Sequence, residues 1–144
     1  MAYTERFDEY VKLLADVAYT GVTTEQNTGY INIKNYRRIA IVIKCHNVTT
    51  TLDADLEITT DGVSAGLKTL KSITQLGSGD DADCVLINLR DEEMSKPDSA
   101  SSSEYDYINL ETTPNGSATY TVLVFGLDPR SKPVGATEWD QVIA

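Results

Sequence analysis

Few residues in this chain can carry chemistry. The single histidine, His46, follows Cys45 at the end of an apolar run, and Cys84 is the only other cysteine. A thiol beside an imidazole can act as nucleophile and base, but two cysteines and one histidine are too few to close a structural zinc site. His46 is therefore expected at a strand end near solvent, and both cysteines as small buried apolar groups, unpaired in a reducing compartment. Gly62-Val63-Ser64-Ala65-Gly66 matches the GxSxG pattern, whose chemistry needs a strained strand-to-helix turn that lifts the serine toward a histidine and an oxyanion hole. With one histidine in a chain too small for the usual hydrolase sheet, and with Asp61-Gly62 already explained as a turn, the match is accidental.

Acidic clusters come next. Asp80, Asp81 and Asp83 form one, and Asp53 with Asp55 another. Hard cations take such oxygen ligands, but neither cluster has the glycine and closing glutamate of an EF-hand loop, so solvated loops are expected. Asn47-Val48-Thr49 and Asn115-Gly116-Ser117 match glycosylation sequons, and Asn115-Gly116 is better explained as a turn, since both residues tolerate positive φ. Tyr105, Tyr107, Tyr120 and Trp139 raise a carbohydrate platform as an alternative, although Tyr107 and Tyr120 fall in alternating strands. Nothing assembles acid, base, nucleophile and oxyanion donors, so the expectation is a non-enzymatic protein with no cofactor and no metal.

At 144 residues the chain has the size of one domain and should bury roughly two thirds of its extended surface. Apolar residues make up 41%, mostly aliphatic, with eight Tyr, two Phe and one Trp, which predicts an aliphatic core with tyrosines at its margins. The net charge of −10 removes the main attraction for phosphate backbones, so nucleic acid is excluded as a partner. Ten of the 22 acids fall within 80–111, against Arg90 and Lys96 as cations, which predicts one strongly negative edge. No run of ~18 apolar residues and no charged-then-apolar start is present, so neither a membrane span nor a signal peptide is expected and synthesis in a cytoplasm follows.

The elements read as β. Ile39, Ile41 and Ile43 alternate with Ala40, Val42 and Lys44, and similar short runs occur near 29–34, 52–60, 84–90, 106–112 and 118–127, separated by Gly, Asp, Asn or Ser. Residues 63–76 are ambiguous between helix and strand, and their Gly and Ser/Thr content favours extended structure. Residues 91–104, with SKPDSASSSE, read as a surface loop. Pro114-Asn115-Gly116 reads as the turn of a hairpin joining 106–112 to 118–127. At 4–18 the pattern changes: Phe7, Tyr10, Val11, Leu14 and Val17 follow helical spacing, with Thr4 as a possible N-cap, which predicts an amphipathic helical or extended arm whose apolar stripe needs a partner surface. The chain thus divides into an arm and linker at 1–28, a single all-β sandwich, jelly-roll-like, at 29–127, and an irregular tail at 128–144 anchored by Trp139.

Two segments carry a resemblance. The start, Ala2-Tyr3-Thr4-Glu5-Arg6-Phe7, and the run from Tyr30 through Lys34-Asn35-Tyr36 to Ile41-Val42-Ile43 resemble an "AYxERF" segment leading into "xYxxxKNYxxxxIVI". The end, Gly126-Leu127-Asp128-Pro129-Arg130 through Pro133, resembles a "GxDPRxxP" tail. Together they resemble small virion structural proteins of tailed bacteriophages, of the capsid decoration or cement type. The resemblance implies a β-sandwich that binds the major capsid protein and copies of itself as a homo-oligomer on the shell, located in the virion and made in the host cytoplasm. A head–tail junction or tail protein of the same virion is the alternative it leaves open. The partner-binding residues it implies are Phe7, Tyr10, Val11, Leu14 and Trp139.

Overall fold

The computed structural model describes residues 10–63, 67–94 and 105–129. Ten strands run β1 (Val11–Val22), β2 (Gln26–Asn27), β3 (Ile31–Asn32), β4 (Tyr36–Val48), β5 (Thr51–Thr59), β6 (Lys68–Ser72), β7 (Leu76–Gly77), β8 (Cys84–Arg90), β9 (Tyr107–Asn115) and β10 (Ala118–Pro129), with one helical turn, Asp91–Met94, after β8. They form two antiparallel sheets. One has the order β1-β10-β4-β8, and the other β2-β9-β5-β6, with β3 beside β9 and β7 beside β5.

The order has a simple logic. Counting β2 with β3, and β6 with β7, as interrupted single strands reduces ten strands to eight, and the pairs β1·β10, β2–β3·β9, β4·β8 and β5·β6–β7 are then those of one long hairpin rolled up. That is the jelly roll, an all-β sandwich as the alternation predicted. The sheets close on each other because the strands are half apolar. On β4, Ile39, Ile41, Ile43 and Cys45 are buried while the residues between them are not, and on β5 the same holds for Leu52, Ala54, Leu56 and Ile58. Each fully buried Ile or Leu contributes roughly 1.5–3 kcal/mol relative to an exposed one, so these two strands supply much of the driving force.

Three expectations need correction. Residues 11–22 are a strand, not a helix: β1 pairs with β10 along its length, from Val11 opposite Leu127 to Val22 opposite Ala118. The register slips between Leu13 and Ala15 and again between Tyr19 and Val22, where Gly21 has φ +59°. These bulges break the period of two and leave apolar residues at 11, 14 and 17, a spacing that mimics a helix. The remainder of the predicted arm, 4–9, lies outside the described residues, as does the 130–144 part of the tail.

The second correction concerns the Asn115-Gly116 turn. It joins β9 to β10, but those strands lie in different sheets, so the turn is a corner between sheets and not a hairpin. The short link from β4 to β5 makes the same crossing beside it. Thr49 N–H donates to the Ser117 carbonyl (2.9 Å), Ser117 N–H donates to Thr49 Oγ1 (2.8 Å), and Gly116, at φ +84°, leaves no room for a Cβ, which would lie 2.6 Å from Thr50 Oγ1. Third, Cys84 is exposed, while Cys45 is buried as expected, and both are free.

Candidate functional site

The residues marked by chemistry do not converge. His46 is exposed and meets Thr121 Oγ1 at 3.3 Å. Ser64 lies outside the described residues, so the GxSxG reading falls there. Asp80 and Asp81 hold backbone: Gly77 N–H donates to Asp80 Oδ2 (2.7 Å) and Val48 N–H to Asp81 Oδ1 (2.6 Å), which fixes the loop before β8. Among the described residues no group of three or more His, Cys, Asp or Glu is placed to hold a metal ion. The aromatic platform is dismantled as well: Tyr105 and Tyr120 are buried, and Tyr107 packs over Gly62. Trp139 is outside the described residues.

The geometry instead sorts the molecule into two ends and two faces. β1 starts, and β4 and β9 start, at the end where β5, β8 and β10 finish, as the pairs Val11↔Leu127, Arg38↔Arg90 and Thr59↔Tyr107 require. Every stretch outside the described residues attaches at this end: 1–9 before Tyr10, 64–66 beyond Thr59, 95–104 after the helical turn, and 130–144 after Pro129. The opposite end consists of the two stacked corners and the Asp80–Asp81 loop.

The sequence-predicted contact residues divide along the same line. Val11 is 6% exposed and Leu14, the bulged residue, packs against the core, so the protein's own fold takes up both side chains. Tyr10 is half-buried where β1 begins, and Phe7 and Trp139 lie outside the described residues. At the same end Arg38 meets Asp128 at 3.5 Å, and Tyr36 lies over Gly126, where a Cβ would come within 2.5 Å of its ring.

The faces differ in charge. On the outer side of the β9–β5 sheet, Asp53, Asp55 and Glu57 alternate with buried residues, and Glu111 stands directly opposite Asp55. Burial, then Glu25, Glu57 and Asp55, push the Glu111 carboxyl above its ordinary range. This ladder is a negative surface, but of its residues only Glu111 belongs to the 80–111 stretch from which a negative edge was expected. The outer side of the other sheet carries Leu123 and Phe125 of β10, flanked by Arg38, Lys44 and Arg90. Between β8 and β6–β7, the edge strands among the described residues, opens a cleft of about 450 Å³, walled by Ile73, Leu76, Val85 and Ile87. Sequence reasoning missed it, because no local pattern says which strands end up as edges.

No family profile matches the chain, and no curated protein matches it in sequence. Solved structures resemble its fold distantly. A protein described with the disulfide-linked pili of Bacillus endospore appendages is 10% identical, with 88% of this chain and 98% of that one covered and a TM-score of 0.46. The SPBc2 prophage-derived protein YomS is 8% identical, covering 78% and 94%, with a TM-score of 0.43. A chain of Broad Bean Stain Virus is 8% identical, covering 92% and 91%, also at 0.43. Likeness at this level assigns no role. No helix among the described residues is long and apolar enough to cross a membrane.

Proposed function

We propose that this chain is a non-enzymatic structural protein of a tailed-bacteriophage virion, a capsid decoration or cement protein that binds the head shell and bridges its subunits. The observation that carries the reading is that the first and last described strands, at Val11 and Leu127, are paired at one end of the jelly roll. A protein that grips a shell needs a stiff body and adhesive segments that leave it together, and in sequence the AYxERF and DPR segments of the resemblance adjoin those paired strand ends. The jelly roll serves capsid and lectin domains alike, so the placement of the segments supports the reading more than the fold does. The charge of −10 keeps free copies apart before assembly.

The test is titration of shells lacking this protein with the full chain and with a chain starting at Tyr10. The full chain is expected to saturate the shell and to raise its disruption temperature; the shortened chain and Trp139→Ala are expected to bind at least tenfold more weakly. Equal saturation by the shortened chain and by Trp139→Ala overturns the reading. Copy number per particle separates shell from junction: hundreds favour a decoration protein.

A further inference from the structure

The two ends of the jelly roll differ in chemistry. At the end away from Val11↔Leu127, the connections 23–25, 49–50, 78–83 and 116–117 contain only Thr, Ser, Gly, Ala, Asp and Glu, so no cation and no apolar side chain larger than alanine stands there. The Val11↔Leu127 end is the reverse. Val63, beyond the finish of β5, is 66% exposed, and Leu67, just before β6, is 48% exposed. Tyr30, 38% exposed, precedes Ile31, which shares a row with Ile108, Ile58 and Lys68 near the same end. Leu86, in the middle of β8, is the one other exposed large apolar side chain among the described residues. Exposed apolar residues are ordinary when scattered, but here three gather at one end and none stands at the other. Charge divides the same way. Lys34, Arg37, Arg38, Lys68 and Arg90 are exposed at the Val11↔Leu127 end, five of the eight lysines and arginines among the described residues of a chain with net charge −10.

We propose that Val63 and Leu67, with Arg37 and Lys68, are the part of the folded body that meets the shell: the two apolar side chains enter an apolar depression of the capsid surface, and the two cations pair with acids at its rim. The proposal rests on the virion reading and deepens it, since it names contact residues within the body and the chemistry of the surface that receives them. Charge complementarity selects that partner. A second copy does not offer an apolar depression with an acidic rim. Its acidic sheet alternates Asp53, Asp55 and Glu57 with residues that are already buried, and the outer face that carries Leu123 and Phe125 is flanked by Arg38, Lys44 and Arg90, which repel a cationic end. An anionic bilayer would meet Asp61 and Asp106 among the cations, whereas a protein surface can match both signs.

The test titrates shells lacking this protein with the full chain, with Val63→Asp/Leu67→Asp, with Arg37→Glu/Lys68→Glu, and with Leu86→Asp as a control of like exposure on the sheet face. All the substituted positions are exposed, so each variant is expected to melt within about 3 °C of the full chain. Both double variants are expected to bind at least tenfold more weakly, and Leu86→Asp as tightly as the full chain. Added salt is expected to weaken the full chain more than Arg37→Glu/Lys68→Glu. If Val63→Asp/Leu67→Asp melts early, the charge-reversed variant decides. Binding by the double variants equal to that of the full chain, or an equal loss in Leu86→Asp, overturns this inference and leaves the virion reading in place; a full chain that does not bind shells overturns both. Sedimentation of the full chain, alone and with vesicles of anionic lipid, is expected to give neither self-association nor vesicle binding. Either one, if abolished by Val63→Asp/Leu67→Asp, overturns the shell as the occupant.

Discussion

Tyr120 shows how single side chains hold the two sheets together. It is fully buried, its ring lies 4.9 Å from that of Tyr19, and its hydroxyl meets Thr112 Oγ1 of the opposite sheet at 2.5 Å. Burial pushes the Tyr120 hydroxyl up to about 12, so it stays a neutral hydrogen-bonding group at any physiological pH. Tyr120→Phe is expected to cost about 1–2 kcal/mol, read as a lower urea midpoint at unchanged slope. Gly126 is set by a different constraint: an added Cβ meets Tyr36 Cδ1 at 2.5 Å. Gly126→Ala should cost about 1–3 kcal/mol, and it should cost less when introduced into a Tyr36→Ala background, where the clashing ring is absent. Among the cysteines, burial raises the Cys45 thiol and Cys84 stands exposed. A maleimide should label one thiol in the native protein and two in urea.

At the scale of elements, the acidic ladder on the β9–β5 sheet opposes the pairing it decorates, because Asp55 and Glu111 face each other with Glu57 one step along. Glu111 binds its proton more tightly folded than unfolded. Its share of stability is therefore full at low pH and lost as pH rises through the raised folded value. Glu111→Gln should raise the melting temperature at pH 7, by less at pH 4 and by less in high salt, as calorimetry would show. The same strands show what was legible. Ile39, Ile41 and Ile43 announced a half-buried strand because period two survives wherever one face is buried. β1 escaped because its two bulges shift that period, and the Asn115-Gly116 turn was misassigned because turn chemistry specifies a reversal of the chain but not which sheet receives it. Of the candidate contact residues, Phe7 and Trp139 lie outside the described residues, and the burial of Val11 and Leu14 was not legible because it depends on β10, more than 100 residues away.

At the scale of the whole molecule, the rolled hairpin makes β1 an edge strand, paired among the described residues with β10 alone yet packed inward through Leu14, Ala15, Tyr19 and Val22. The division into an arm at 1–28 and a body at 29–127 therefore places a working strand of the sheet in the arm, and a deletion of residues 1–18 would remove most of it. Deletion through Val22 uncovers the full length of β10 as a new edge and strips those side chains from the core. It is expected to abolish a cooperative melting transition or to cause aggregation. A chain starting at Tyr10 keeps β1 whole and should melt within about 3 °C of the full protein. Calorimetry on the two truncations decides where the body begins. Loss of cooperativity in the shorter deletion would mean that residues 1–9 belong to the folded body, and they would then not be available as the free segment that a docking end requires.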